Sequence, residues 1–185
     1  MMAGRTGRGG GAPPARVTKT MGVNRFVWNA QHRSGLPAPP AGYQVRLTVD
    51  GETFTQPFTL LIDPRLAAEG LTAADLKEQF EHNTRMRELQ AAVTQVIGRV
   101  REAQNKLKGS DPAGAQLKQL DVIAGKLLTE PVRYGKPGLQ QHVNYLAGMT
   151  GAADQKVGRD ALDRYAVLKK ELDAIRAELD KVLGG

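Results

Sequence analysis

Hydrophobic and polar residues alternate along residues 41–64, and this alternation predicts a β-hairpin. Over residues 43–49, every second side chain is apolar, so one face of the first strand would be apolar and the other polar. Asp50-Gly51 follows at once. It predicts a tight type I′ turn, because both central residues of that turn need a positive φ.

The returning strand continues the apolar face of the predicted hairpin. Pro57 interrupts this strand and removes one backbone donor, so we expect an edge strand or a bulge there. Asp63-Pro64 would end the strand. The apolar residues at alternate positions of this strand, which would share one face, are Phe54, Phe58, Leu60 and Ile62.

Two shorter stretches before the hairpin, Arg16–Thr20 and Val23–Asn29, also predict strands. Trp28, the single tryptophan, is expected to be buried in the core or, alternatively, to anchor an interface. A sheet of three or four strands is too small to close a sandwich. We therefore expect it to need a second layer or a strand from a partner.

From Leu71 onward the apolar residues recur at helical spacing. The first helix should run from Leu71 to Lys108, with Thr72 as its N-cap and Asp75 as the acid of a capping box. Three more helices are predicted, over residues 111–130, 139–152 and from residue 160 to the end. The short turns between them favour antiparallel packing around the long helix.

These patterns predict an α+β fold, in which a small antiparallel sheet precedes an antiparallel bundle of three or four helices. Residues 1–20 would be a basic flexible arm, residues 21–66 a small β-domain and residues 71–185 the helical bundle.

Charge is concentrated at the beginning of the chain. The first 49 residues hold seven basic and no acidic side chains, whereas the rest of the chain is neutral. We predict that residues 1–20 run extended over a partner and place Arg5, Arg8 and Arg16 near acids, phosphates or carbonyl groups. The candidate partner-binding residues are Arg5, Arg8, Arg16, Lys19, Arg25, Trp28 and Arg33.

The arginine- and glycine-rich arm has two alternative interpretations. It could be a solvated linker, or it could bind RNA, anionic lipid or an acidic protein surface. No aromatic residue interrupts the arm to stack on bases, and the rest of the chain is not basic, which argues against nucleic acid.

No catalytic constellation is visible in the sequence. Cysteine is absent, and His32, His82 and His142 have no second ligand at the spacing that metal motifs require. Ser34 and Ser110 lie in no nucleophile motif. We therefore expect no enzyme activity, no cofactor or metal, and no small-molecule substrate.

No apolar run is long enough to span a bilayer, and no signal peptide is recognisable.

Two segments resemble a known family. NRFVW, followed by PPAGYQVRLTVDGETFTQPFTLLIDPR, resembles the C-terminal β-segment of secreted bacterial glycosyl-hydrolase-like or sortilin-like BNR β-propeller proteins. KPGLQQHVNYLAGMTGAADQKVGRDALDRYAVLKKELDAI resembles their helical tail. The strand–loop–strand part also resembles the Ig-like sandwich of flagellar hook-capping proteins.

The resemblance to the β-propeller proteins covers residues 22–183. The propeller itself is absent from this sequence, so the resemblance carries over no catalytic residue. It implies an Ig-like or partial sandwich and a periplasmic or extracellular location.

Three functions remain open at this point. The first is a non-catalytic structural or interaction subunit that docks onto a larger envelope assembly, with a periplasm-exposed membrane complex as one candidate. The second is a C-terminal accessory module of a secreted propeller-type protein. The third is nucleic-acid binding through the arm. A cytoplasmic location is the alternative to the one that the resemblance implies.

Overall fold

The computed structural model describes residues 17–110 and 114–184 of the chain. Strands β1 (Ala41–Val49) and β2 (Glu52–Leu60) form a two-stranded antiparallel sheet. This part of the chain also contains five helices: α1 (Pro64–Ala68), α2 (Ala73–Ser110), α3 (Ala115–Leu127), α4 (Leu139–Gly151) and α5 (Arg159–Gly184). The protein is therefore α+β, as the hydrophobic pattern predicted.

The hairpin forms where the alternation predicted it. Asp50 and Gly51 have φ values of 50° and 90°, so both central turn residues are in the left-handed region that a type I′ turn needs. The register then runs unbroken from Val49 opposite Glu52 to the far end of the sheet. Pro57 pairs with Gln44 without a bulge. We expected either an edge strand or a bulge at Pro57, and β2 is an edge strand.

The segment before the hairpin differs from the prediction. Val17–Thr20 and Val23–Asn29 form no strands, so the sheet in the described residues has two strands rather than three or four. Asn24 instead bonds locally: its side-chain NH₂ donates to the Thr20 carbonyl at 2.9 Å, and its oxygen accepts from the Thr18 hydroxyl at 2.7 Å. A strand needs a neighbouring strand for its backbone groups, and these residues pair with neither strand of the described sheet.

A capping box begins α2, as predicted. The Asp75 N–H donates to the Thr72 hydroxyl at 3.1 Å, and the Thr72 N–H donates to the Asp75 carboxylate at 3.0 Å. The Thr72 hydroxyl also donates to the Asp75 carboxylate, at 2.5 Å. The hydrogen bonds from this hydroxyl and from the Thr72 N–H lower the pKa of Asp75, with a smaller contribution from Lys156. The helix then continues through Gly109, which was expected to stop it, and reaches Ser110.

The core lies between α2, α3, α4 and α5, and no residue of the hairpin belongs to it. Each of these helices contributes an apolar stripe, so burial of the four stripes together stabilises all of them. This arrangement is compatible with a helical bundle. The most deeply buried members of the cluster are Met86, Val93, Val96, Val100, Leu120, Ile123, Leu127, Leu139, Val143, Leu168, Leu172 and Leu179.

Helices α3 and α4 together return along α2. Helix α3 contacts the later half of α2, where the Gln104 amide donates to Asp121 at 2.8 Å. Helix α4 contacts the earlier half, where the Gln79 amide donates to the Thr150 carbonyl at 2.8 Å. Because α3 precedes α4 in the chain, the pair runs opposite to α2, with a loop between them.

Helix α5 runs in the same direction as α2. Near its beginning, Tyr165 lies beneath the Arg85 guanidinium, 5.6 Å from the ring centre. Near its end, Asp180 accepts a 2.7 Å hydrogen bond from Arg99. Both ends of α5 are thus fixed against α2, and the apolar residues between them close the core.

Candidate docking surface

One face of the hairpin is apolar and uncovered. In an antiparallel pair, directly opposite residues share a face, and the register places Leu47 opposite Phe54 and Tyr43 opposite Phe58. Phe54 is 57% exposed and Leu47 is 46% exposed. Val45 on the same face is 49% exposed, so the uncovered area is continuous along β1. We call this surface, formed by Tyr43, Val45, Leu47, Val49, Phe54 and Phe58, the apolar hairpin face. Two polar residues share it, Gln56 opposite Val45 and Glu52 opposite Val49.

Trp28 covers the end of the apolar hairpin face that is remote from the turn. Its ring lies 5.5 Å from the Tyr43 ring and 5.8 Å from the Phe58 ring, centre to centre, and those two rings stack at 5.7 Å. The indole N–H donates to the Gln31 carbonyl at 2.9 Å. Trp28 remains 37% exposed, so it lies outside the core that was expected to bury it.

The opposite face of the hairpin is polar. Thr48 and Thr53 are opposite each other, and their hydroxyl groups are 3.2 Å apart. Arg46 and Thr55 form the neighbouring pair on this face. The two faces of the same hairpin therefore differ sharply in chemistry, and only the polar one suits solvent.

The loop that precedes the hairpin in the chain packs against the helices. His32 makes an edge-to-face contact with Phe80 of α2, with ring centres 5.3 Å apart. Leu36 and Ala38 are each only 8% exposed, and the Ala38 N–H donates to the Ala30 carbonyl at 2.7 Å. The loop thus has its own buried contacts, whereas the apolar hairpin face beyond it has none against the helices.

A groove lies between this loop, α2 and the segment after α4. The Gln79 side chain in this groove is fully engaged: its amide donates to the Thr150 and Ala153 carbonyls at 2.8 and 2.6 Å, and its oxygen accepts from the Gln155 N–H. Asn83 also donates to the Thr150 carbonyl, at 3.1 Å, whereas its own side-chain oxygen is buried and has no hydrogen-bond partner among the described residues. The bonds from Gln79 and Asn83 satisfy carbonyl groups at the end of α4, so these two amides stabilise that end of the helix.

His82 is fully buried in α2 and packs edge-to-face against Tyr165 of α5. Neither ring nitrogen has a hydrogen-bond partner in the part of the chain that the structure describes. Burial lowers the pKa of His82, the nearby Arg85 lowers it further, and Glu78 acts in the opposite direction. No group of three or more potential metal-ligating side chains occurs in residues 17–110 and 114–184. The geometry therefore gives His82 a packing role.

The predicted partner-binding residues fall into three groups. Arg5, Arg8 and Arg16 lie outside the described residues. Lys19, Arg25 and Arg33 are exposed and form no ion pair with any residue that the structure describes. Trp28 is the member that the fold brings onto the hairpin.

Leu47 and Phe54 are not among the candidate site residues that the sequence predicts. Their alternation predicts an apolar strand face, and such a face is normally covered by its own domain. The signal that could have identified them is the small number of strands, which leaves no second layer for this face.

Comparison of the chain with protein-family models, curated proteins and solved structures found no match. None of the helices in the part of the chain that the structure describes is long and apolar enough to cross a bilayer.

Proposed function

We propose that this chain is a non-catalytic structural and interaction subunit that docks onto a larger protein assembly of the cell envelope. The observation that carries the proposal is the apolar hairpin face, whose central side chains Val45, Leu47 and Phe54 are about half exposed. Contiguous exposed apolar surface on a folded protein marks an interaction site.

The hairpin itself supports this proposal. An isolated two-stranded hairpin is at best marginally stable in water, and it gains stability when its apolar face is covered. Trp28 covers only one end of this face. A partner that covers the rest would stabilise the hairpin and bury aromatic side chains, which commonly dominate binding energy at interfaces.

The basic residues of the segment that precedes the hairpin support a partner with acidic groups. Lys19, Arg25 and Arg33 are exposed, and no acid occurs in the chain before Asp50 and Glu52 at the hairpin turn. Charges at the rim of an interface mainly accelerate and orient binding, while the apolar centre supplies affinity. The two features therefore have complementary roles in docking.

The resemblance to secreted bacterial proteins supports the envelope as the location and a periplasm-exposed membrane complex as the candidate assembly. It also supports a finer description of the fold. The hairpin and the segment around Trp28 would be part of an Ig-like sandwich that a partner completes, and α2–α5 would be the bundle that carries it.

Substitution of Phe54 tests the proposal. We expect Phe54→Gln to lower capture of the envelope assembly by the tagged chain at least about tenfold, as loss of a buried aromatic anchor does. Phe54 is exposed in the free chain, so its replacement should change the free energy of unfolding by less than about 0.5 kcal/mol. Pull-down from native membranes, together with urea unfolding, measures both.

Thr55→Gln is the matched control, because Thr55 is the next residue of β2 and lies on the polar face. This variant should retain full capture. Recovery of the wild-type chain only as a free monomer in the soluble fraction would contradict the proposed function.

A further inference from the structure

We infer that the docking partner is an acidic protein that adds a β-strand to the outer edge of β1. This inference rests on the proposed function and specifies which part of the hairpin the partner pairs with. Three features carry it: the free backbone groups of β1, the proline in β2 and the positive charge of the segment that precedes the hairpin.

The two-residue turn determines which backbone groups point outward. With a turn of this kind, Val49 and Glu52 form the first hydrogen-bonded pair, and bonded and non-bonded pairs then alternate. Gly42, Gln44, Arg46 and Thr48 therefore direct their N–H and C=O groups away from β2. No backbone hydrogen bond from outside the hairpin reaches these residues in the described part of the chain.

The outer edge of β2 is less suitable for a partner strand. Pro57 is opposite Gln44 and so occupies an outward-facing position, where it has no N–H to donate. A strand placed there would leave one of its carbonyl groups without a partner near the middle of the ladder. The outer edge of β1 contains no proline and offers an unbroken row of donors and acceptors.

A strand added to β1 would also extend the apolar hairpin face. Alternate side chains of the added strand would lie beside Tyr43, Val45 and Leu47, while the intervening ones would lie beside the polar face. The partner strand should therefore alternate apolar and polar residues, so that backbone pairing and apolar burial occur together.

Charge and backbone chemistry favour an acidic protein strand over two other candidate partners, a second copy of this chain and a lipid bilayer. A second copy would bring another unbalanced set of basic residues, including Lys19, Arg25 and Arg33, against the first. A bilayer could accept the apolar side chains and the positive charge. Its hydrocarbon, however, cannot satisfy the open backbone edge of β1, and unpaired sheet edges are excluded from that region. An acidic protein strand satisfies all three features.

A matched pair of proline variants tests the inference, because Thr48 and Thr53 are opposite each other and have the same side chain. Thr48→Pro removes an outward N–H from β1, and Thr53→Pro removes one from β2. Both variants lose the same hydroxyl contact, and neither loses a bond between the two strands. Fluorescence of Trp28, which packs on the hairpin, reports whether each variant keeps the hairpin intact.

The probes are a short peptide of alternating valine and glutamate, the corresponding valine–lysine peptide, and phosphatidylglycerol vesicles. We expect the full chain to bind the acidic peptide, with slower amide exchange at Gln44 and Arg46. Thr48→Pro should weaken this binding, and capture of the native assembly, about tenfold, whereas Thr53→Pro should leave both unchanged.

Equal effects of the two prolines, protection of β2 instead of β1, binding to vesicles alone, or self-association alone would each overturn the inference. If Phe54→Gln abolishes capture of the assembly while Thr48→Pro and Thr53→Pro behave alike, the proposed function stands and the strand pairing fails. If the wild-type chain captures no assembly, the proposed function itself fails.

Discussion

At the scale of single residues, His82 shows the cost of a polar side chain in the core. It is completely buried, and both ring nitrogens lack hydrogen-bond partners among residues 17–110 and 114–184. A buried polar group without a partner costs about 1–3 kcal/mol of stability. Its pKa is lowered because burial disfavours the charged imidazolium, with a contribution from Arg85. His82 is therefore neutral in the folded protein at neutral pH.

His82 should make the stability of the helices depend on pH. Its folded-state pKa is below the ordinary value of 6.5, so the unfolded chain binds a proton first as the pH falls. This contribution leaves stability unaffected above about pH 6.5 and lowers it as the pH drops from there to the folded-state pKa. Urea unfolding between neutral and mildly acidic pH measures the effect.

His82→Leu should remove this part of the pH dependence. It should also raise the free energy of unfolding at neutral pH by about 1 kcal/mol, because two unsatisfied nitrogens leave the core. The wild-type chain, measured over the same pH range, is the reference for this slope. An unchanged slope in His82→Leu would mean that other groups cause the pH dependence.

At the scale of elements, the loop between α3 and α4 lets two short helices replace one long one. The loop returns on itself, with the Glu130 N–H directed at the Lys136 carbonyl at 3.4 Å. A Cβ atom on Gly138 would lie 2.5 Å from the carbonyl carbon of Leu128, so the backbone at these two points approaches too closely for any side chain. Gly138 thus permits the start of α4 to lie beside the end of α3.

Gly138→Ala should destabilise the protein by about 1–3 kcal/mol, because the added methyl group meets backbone that cannot move aside cheaply. Gly125→Ala in α3 is the matched control, since its Cβ would meet nothing within 4 Å. That control should be neutral or stabilising by up to about 1 kcal/mol, because alanine favours the helix. Thermal unfolding of both variants checks this prediction. Equal stability of the two would show that the loop can rearrange.

At the scale of the whole molecule, the core and the docking surface are separate. The buried cluster is formed by α2–α5 alone, while the exposed apolar residues Leu47 and Phe54 belong to the hairpin. Residues 17–20 contribute only local bonds to Asn24. The stability of the helices should therefore be independent of residues 17–20.

Deletion of residues 1–20 tests this separation. We expect helical content by circular dichroism and the melting temperature to stay nearly unchanged, while capture of the envelope assembly weakens because Arg5, Arg8, Arg16 and Lys19 are lost. Higher salt should weaken capture by the full chain more than capture by the truncated one. Unfolding of the helices on truncation would show that this segment belongs to the core.

The sequence by itself determined the features that depend on near neighbours. Asp50-Gly51 specified the turn, Thr72 and Asp75 specified the start of α2, and the apolar stripes specified α2–α5. Each signal lies within a few residues of the structure it produces, or repeats along a helix that buries its own stripe.

Tertiary structure alone decided the features that depend on distant residues. The strand propensity of Val23–Asn29 found no backbone partner, so no strand formed. His82 is buried where Tyr165 packs against it from another helix, and Phe54 stayed exposed because no second layer among the described residues covers β2. Strand pairing and burial depend on contacts between distant segments. A local hydrophobic pattern indicates which side chains a segment can bury, but it does not indicate which other segment will cover them.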